Sequence, residues 1–471
     1  MTKPLSRIIT HFDHLLATGR ADFGPKPTAM WMASLDTRTG RYPADDTRPD
    51  HIPKRAYRNI DAPKGVSLYW DQPAIVAAHA LTKVTGQPRY AEAADAYVRD
   101  FLTHCVANNG FFLWGNHYYF DVYRGETVWF VGDEPPRPSF MPEEYGVLHE
   151  TRPITPAWET FWRVSPEATE RCIRLIGEWH VVDARTGCFN RHADRQSSCA
   201  FLEAGAVIVE SLCWLARRKN QERGLIDLAL QVARYSFQHR HPETGLLENN
   251  PTETRWDKHT CTTEVGLWAG SLLRAAHYSG EKAFQTMADE AMRAYLRYGF
   301  DEQAGRYFGR LRVADGSAIR EPKSTPYQPD TYTDFWYPLF PAHDYPFCFA
   351  ESCLTLLQQT GDAIYAQAVA RWVNAIRAEL PANQGQGAYA EHYGRCLHFL
   401  LRTARSLPET GAAALGQQVA DEALGQLFDG GLFRTHTGEH RYDAVDAPGF
   451  LFLALLYLET GEDPDGMGLG F

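Results

Sequence analysis

The stretch "GCFNRHADRQ", residues 187–196, sets Arg191 and His192 side by side and follows them with Asp194 and Arg195. A guanidinium beside an imidazole suits a solvated turn, or a site that handles an anion. Two upstream segments point toward chemistry: "WGNH", which ends in His117, and "VLHETRP", which contains Glu150. His117, Glu150 and His192 are two imidazoles and a carboxylate, a suitable donor set for a first-row divalent cation such as manganese, with positions left for water and substrate. His149, adjacent to Glu150, is the rival of His117. The chain has 18 histidines, so an accidental grouping is the alternative.

The elements that must position these residues are legible on either side of the loop. Ser165 is a helix N-cap, Pro166 takes the first helical position, and Glu167 complements the helix dipole. Ala168, Cys172, Leu175, Ile176 and Trp179 recur at helical spacing, and the helix ends near Val182. Arg191 and His192 therefore fall beyond it, on a rim. Upstream, the one long interruption of helical periodicity lies between residues 111 and 156. "FFLWGNHYYFDVYRGETVWFVG" reads as a small β-hairpin insertion near residues 111–132, with its turn at Arg124, Gly125 and Glu126. Period-two alternation sets His117, Tyr119 and Asp121 on one face, with Tyr118, Phe120 and Val122 on the other.

The rest of the chain alternates two kinds of punctuation. Plain turns such as "TGQPRY", "SGEKAF" and "TGDAIY" separate helical runs. Loops with a glycine followed by an extended pair recur at Gly40, Gly187, Gly245, Gly305 and Gly430, and two of the intervals, 58 and 60 residues, fit a pair of helices. Helical hairpins that cannot bury their apolar faces alone must stack. The expectation is an all-α fold, an (α/α) toroid or barrel of six to seven helical hairpins, in a single catalytic domain over residues 1–471. An open solenoid is the alternative.

Composition narrows the partners. Hydrophobic residues make up 44% and charged residues 22%, as expected of a globular chain with a large core. The aromatic share of 13% suits sugar stacking as well as core packing. A net charge of −11 without long Lys/Arg runs argues against nucleic acid as a partner. No apolar stretch is long enough to predict a membrane span, and the N-terminus lacks a signal-peptide pattern, which predicts a cytoplasmic chain. Nine cysteines without a CxxC pair predict reduced thiols.

The segment "HETRPITPAWETFWRVSPEATERCIRLIGEWHVVDARTGCFNRHAD", with "WGNH" before it, resembles the family 2 polysaccharide lyases, the pectate and exopolygalacturonate lyases. The resemblance implies an α/α barrel and a divalent metal held by His117, Glu150 and His192, with Arg191 as the base. Manganese is the expected ion; calcium, cobalt and nickel are alternatives. An arginine base runs against the usual permanent charge of guanidinium, and a fork that clamps the substrate carboxylate is the other role for Arg191. β-Elimination on a uronate removes the C5 proton beside a carboxylate, which is easier when a cation neutralises that group.

The second half offers polar loops for an acidic oligosaccharide. "TETRWDKHTCTTE" supplies Arg255, Trp256 and Lys258, and "REPKSTPYQPDTYTDFWY" supplies Lys323, Tyr332 and Trp336. Tyr119, Arg255, Trp256, Tyr332 and Trp336 are expected to bind substrate, with Lys258 and Lys323 as catalytic cations near the leaving oxygen. "AEHYGRC", with Glu391, His392 and Arg395, is a further cluster that faces the interior. Competing activities on the same toroid are a glycoside hydrolase using Asp71 and Asp334, a sugar epimerase using two histidines, and a non-catalytic helical scaffold. Oligomeric state is left open.

Overall fold

The computed structural model describes residues 3–41, 65–114, 118–129, 137–138, 149–151, 153, 155–251, 259–322, 330–336, 346–384, 388–444 and 447–464. Helix α1 (Lys3–Thr18) opens the chain. Pairs follow: α2 (Leu68–Thr85) with α3 (Arg89–His104), α4 (Trp158–Val164) with α5 (Pro166–His180), α6 (Leu202–Arg218) with α7 (Arg223–Gln238), and α8 (Thr262–Ser279) with α9 (Lys282–Tyr298). Then come α10 (Pro346–Thr360) with α11 (Ala363–Ala378), the single turn α12 (Pro381–Gln384), α13 (Ala390–Ser406) with α14 (Ala412–Leu427), and α15 (Gly449–Thr460).

The first helix of each pair lies in an inner ring and the second in an outer ring. Inner helices are buried on most sides: every residue from Leu202 to Ala216 of α6 is buried, Glu203, Glu210 and Ser211 included, and every residue from Gly449 to Tyr457 of α15. Outer helices bury one stripe, as α7 does with Leu225, Ile226, Ala229, Leu230, Val232 and Ala233. Around the inner ring α6 packs on α8, α8 on α10, α10 on α13, α13 on α15, and α15 on α2. Helix α4 links α2 to α6: Gln72 Oε1 accepts from the backbone N–H of Ala157 at 2.8 Å, and Trp158 Nε1 donates to Ser211 Oγ at 2.9 Å.

The ring is closed by its two ends. Helix α1 packs on α15 as its outer partner, and the strand Ser34–Asp36 pairs antiparallel with Arg441–Asp443. Gly449 allows the last inner contact, because a Cβ there would stand 2.2 Å from the backbone nitrogen of Ala74. The fold is an α/α toroid, with seven helical hairpins among the described residues when α15 and α1 are counted as one.

The two kinds of connection differ as the sequence predicts. Inner-to-outer turns are short and end on glycines in the left-handed region, such as Gly86 and Gly280. Outer-to-inner connections carry small antiparallel pairs, Asp301 with Arg306 and Asp429 with Leu432 among them. They gather on the rim where the inner helices begin. The insertion after α3 supplies Tyr118–Asp121, Glu126–Trp129 and Arg137–Pro138, which form a four-stranded antiparallel sheet with Gly65–Val66 from before α2. Its hairpin turns one residue earlier than predicted, since Glu126 already pairs with Asp121.

Candidate active site

Helix α5 begins as predicted, with Ser165 Oγ accepting the backbone N–H of Ala168. It gives way at His180 to Val181–Asp183, which turns back on Cys188–Phe189. Gly187 makes that turn at φ +78°, where a Cβ would lie 2.0 Å from the carbonyl oxygen of Gln231 on α7. The next residue but two, Asn190, is fully buried and folds the rim loop around its own side chain. Its Nδ2 donates to Asp194 Oδ1 at 2.7 Å and to the carbonyl of Gln196 at 2.8 Å, while its Oδ1 accepts the backbone N–H of His192 at 3.1 Å.

Backbone pairing then delivers the predicted site residues. Thr151 N–H donates to the Arg191 carbonyl at 2.9 Å and Ala193 N–H to the His149 carbonyl at 2.9 Å, so Glu150 and His192 face each other across an antiparallel bridge. His192 Nε2 lies 3.0 Å from Glu150 Oε1, and Arg191 Nη2 donates to the same oxygen at 3.3 Å. Burial disfavours charge on His192, but hydrogen bonds to Cys199 and Glu150 and the charge of Glu150 outweigh it and raise the imidazole to about 9. The Arg191 guanidinium also lies 5.5 Å from the centroid of the Phe201 ring.

His149 has a different environment from its neighbour. Its ring stacks on Phe111 at 4.3 Å between centroids, and its Nδ1 lies 2.8 Å from His180 Nε2. His180 Nδ1 in turn faces the carbonyl oxygen of Asn190 at 2.9 Å, an acceptor only, so Nδ1 carries the proton. Burial holds both rings in the neutral form, with His180 lowered to about 4. Neutral His180 accepts from His149 Nδ1, and His149 Nε2 is left as a buried lone pair without a hydrogen-bond partner among the described residues. Tyr118 contributes a second such atom: its hydroxyl is buried and has no hydrogen-bond partner among the described residues, and burial and the charge of Glu150 keep it protonated.

Glu150, His192 and the His149 lone pair are the oxygen and nitrogen donors that a first-row divalent cation takes. Among the described residues no three His, Cys, Asp or Glu side chains are grouped to hold a metal. His117, the remaining ligand that the family resemblance implies, lies outside the described residues, as do Arg255, Trp256, Lys258 and Lys323.

The other expected substrate contacts are placed differently. Tyr119 is packed into the core, and Tyr118 is the neighbour that the charge of Glu150 reaches. Tyr332 stacks on Phe308, carries the Arg306 guanidinium 4.9 Å from its centroid, and donates its hydroxyl to Asp301 at 2.8 Å, so its ring is engaged by protein. Trp336 is buried against Tyr393. Glu391, His392 and Arg395 are buried in α13, with Arg395 bonded to Glu391 at 2.9 Å, which agrees with an interior cluster. Asp71, one carboxylate of the hydrolase alternative, is 1% exposed and accepts from Tyr97 at 2.6 Å and Tyr442 at 3.5 Å. Burial pushes it up to about 8. Missed from the sequence were Glu203 and Glu264, each in the first turn of an inner helix, at the same rim as Arg191.

Residues 72–208 match the family model described as periplasmic pectate lyase. This pectate lyase match spans Glu150, Arg191 and His192 and agrees with the resemblance drawn from the motifs. The family is described as periplasmic, and no helix among the described residues is long and apolar enough to cross a membrane. Solved structures similar to this chain include a cellobiose 2-epimerase of Bacillus thermoamylovorans (12% identity, TM-score 0.45, covering 63% of this chain and 84% of that one). An unsaturated glucuronyl hydrolase of a Bacillus species gives 14% identity and a TM-score of 0.42 over 65% and 84%. An α-1,6-mannanase of a Salegentibacter species gives 9% and 0.46 over 97% and 99%.

Proposed function

We propose that this chain is a metal-dependent lyase that cleaves uronic-acid oligosaccharides, oligogalacturonate foremost, by β-elimination to 4,5-unsaturated products. The observation that carries the reading is the meeting of Glu150, His192 and Arg191 at one carboxylate oxygen, inside the segment that matches the pectate lyases. Glu150 and His192, with His117, would hold the divalent ion, manganese by the donor set. When bound, that ion neutralises the substrate carboxylate and stabilises the charge that develops beside C5.

The chain's own residues supply the rest. Arg191 stands next to the ligands, where it meets the carboxylate-bearing end of the sugar as base or as a two-pronged clamp. The C5 proton leaves to the base, the C4–O bond breaks as the C4–C5 double bond forms, and the departing oxygen takes a proton. Asn190 fixes the loop on which both Arg191 and His192 stand, so their spacing costs no reorganisation during reaction. The inner-helix N-termini point their positive dipole ends at this rim, which favours an acidic ligand on a chain of net negative charge.

The test is ultraviolet absorbance of the unsaturated uronate, with oligogalacturonate and manganese, then with a chelator. The expected result is a rise that the chelator abolishes and that Arg191→Ala reduces by roughly 10²- to 10⁴-fold. No absorbance on galacturonate, glucuronate or mannuronate oligomers overturns the lyase reading, and new reducing ends without absorbance replace it with hydrolysis.

A further inference from the structure

The site is assembled from two separate parts of the chain, and a residue that takes no part in the elimination scheme ties them together. His180, the last residue of α5, is fully buried. Its Nε2 lies 2.8 Å from Nδ1 of His149, the residue before Glu150, and its Nδ1 lies 2.9 Å from the carbonyl oxygen of Asn190, the residue before Arg191. The His180 carbonyl also accepts the backbone N–H of Asn190 at 2.8 Å, so side chain and backbone of one residue hold the same loop position. A carbonyl oxygen only accepts, so His180 Nδ1 donates to Asn190, and Nε2 of the neutral ring accepts from His149 Nδ1. Phe111 flanks both imidazoles, stacked on His149 at 4.3 Å and edge-on to His180 at 6.1 Å between centroids. In such apolar surroundings a hydrogen bond is costly to lose.

The same two segments meet at the bridge in which Thr151 N–H donates to the Arg191 carbonyl and Ala193 N–H to the His149 carbonyl, both at 2.9 Å. A lone two-stranded contact is marginally stable at best, and this one carries Glu150, Arg191 and His192 together. His149 is buried against Phe111 while Glu150 faces His192, so His180 reaches both strands from the core side. We propose that His180 is a positioning residue: by joining His149 to Asn190 it fixes the separation of Glu150 from Arg191 and His192, and so sets the affinity of the site for a divalent cation. This rests on the lyase reading for the cation, but the mechanical coupling of the two segments does not.

The experiment uses the full chain with two variants, each checked for folding by thermal unfolding. His180→Asn keeps a donor for the Asn190 carbonyl but is too short to reach His149, and His180→Gln restores the reach. Amide hydrogen exchange followed by mass spectrometry, without metal, should quicken in His180→Asn at the peptides that carry Thr151 and Ala193 while α6 and α8 exchange as in the wild type. Manganese affinity, measured by calorimetry, should fall on the order of tenfold to a hundredfold, the usual effect of losing a group that orients a ligand, and His180→Gln should recover most of both losses. Wild-type exchange at the bridge, acceleration spread equally over α6 and α8, or equal losses in the two variants overturns the positioning role. Nitrogen-15 spectra of histidine-labelled wild type should show an N–H···N hydrogen bond between two imidazoles, and its absence overturns the proposal without any variant. A wild type that binds no manganese defeats the metal reading, and the exchange result still decides whether His180 couples the two segments.

Discussion

Binding of a divalent cation by Glu150 and His192 should release a proton, and the geometry sets the size of the effect. A metal ligand must offer an unprotonated nitrogen, yet His192 Nε2 is hydrogen-bonded to Glu150 Oε1 at 3.0 Å and titrates at about 9. At pH 7 the proton is held two pH units below that value, so it competes with the ion by about 100-fold, or roughly 2.7 kcal/mol at 1.36 kcal/mol per unit. The apparent dissociation constant for manganese should fall about tenfold for each pH unit between 7 and 9 and level off above 9. An imidazole at the ordinary 6.5 would level off before pH 8. Calorimetric titration in buffers of different ionisation enthalpy reads both quantities, the affinity and about one proton released per ion at pH 7. Affinity that is flat across this window, or binding without proton release, would refute the reasoning that the Glu150–His192 hydrogen bond occupies the metal position.

Three other perturbations test separate parts of the structure. Gly449→Ala should destabilise the fold by roughly 1–3 kcal/mol in denaturant unfolding, because the new methyl meets backbone atoms of Pro73 and Ala74 that have little room to yield; unchanged stability would show that α15 and α2 can separate. Tyr118→Phe removes a buried hydroxyl that has no partner among the described residues, so the unfolding temperature should hold or rise while uronate turnover falls; a drop in stability with full turnover would assign the hydroxyl to the core instead. Glu264 binds its proton more tightly folded than unfolded, so above its unfolded value of 4.5 the native state carries the extra proton and stability declines as pH rises, by up to about 1.36 kcal/mol per unit. Glu264→Gln should flatten that slope, and a slope identical to the wild type's would contradict a carboxyl held protonated.

What could be read in advance follows from which residues carry local information. Ser165 announces its helix because a cap acts within three residues, and Gly187 announces its turn because other residues resist that φ. The apposition of Glu150 and His192 came from motif types, although the β-bridge that creates it is invisible in either segment alone. Strands such as Gly65–Val66 are too short to show any alternation, so the hairpin was predicted without its flanking partners. Period-two alternation favours Tyr119, on the face of His117 and Asp121, but all four residues of that strand are buried and it is Tyr118 that the charge of Glu150 reaches. Glu203 and Glu264 were not singled out, because each is one acid in the first turn of a largely apolar helix. The signal that would have found them is that a helix buried on every side has no solvent for a carboxylate. The expectation that Tyr332 and Trp336 bind substrate rests on side-chain type in a polar loop, which does not distinguish a free ring face from one already covered.

The pairing of Ser34–Asp36 with Arg441–Asp443 joins parts of the chain about four hundred residues apart, and it has a consequence for how the molecule is made. Until α15 leaves the ribosome, α2 and α13 lack the neighbour that covers them, and the nascent arc exposes side chains that the closed ring buries. Closing a loop over such a span is entropically costly, which puts the contact between the two ends late in folding. A ring of this kind completes itself only at the last helix, and a ribosome stalled a few dozen codons early would release an aggregation-prone crescent rather than a smaller working enzyme.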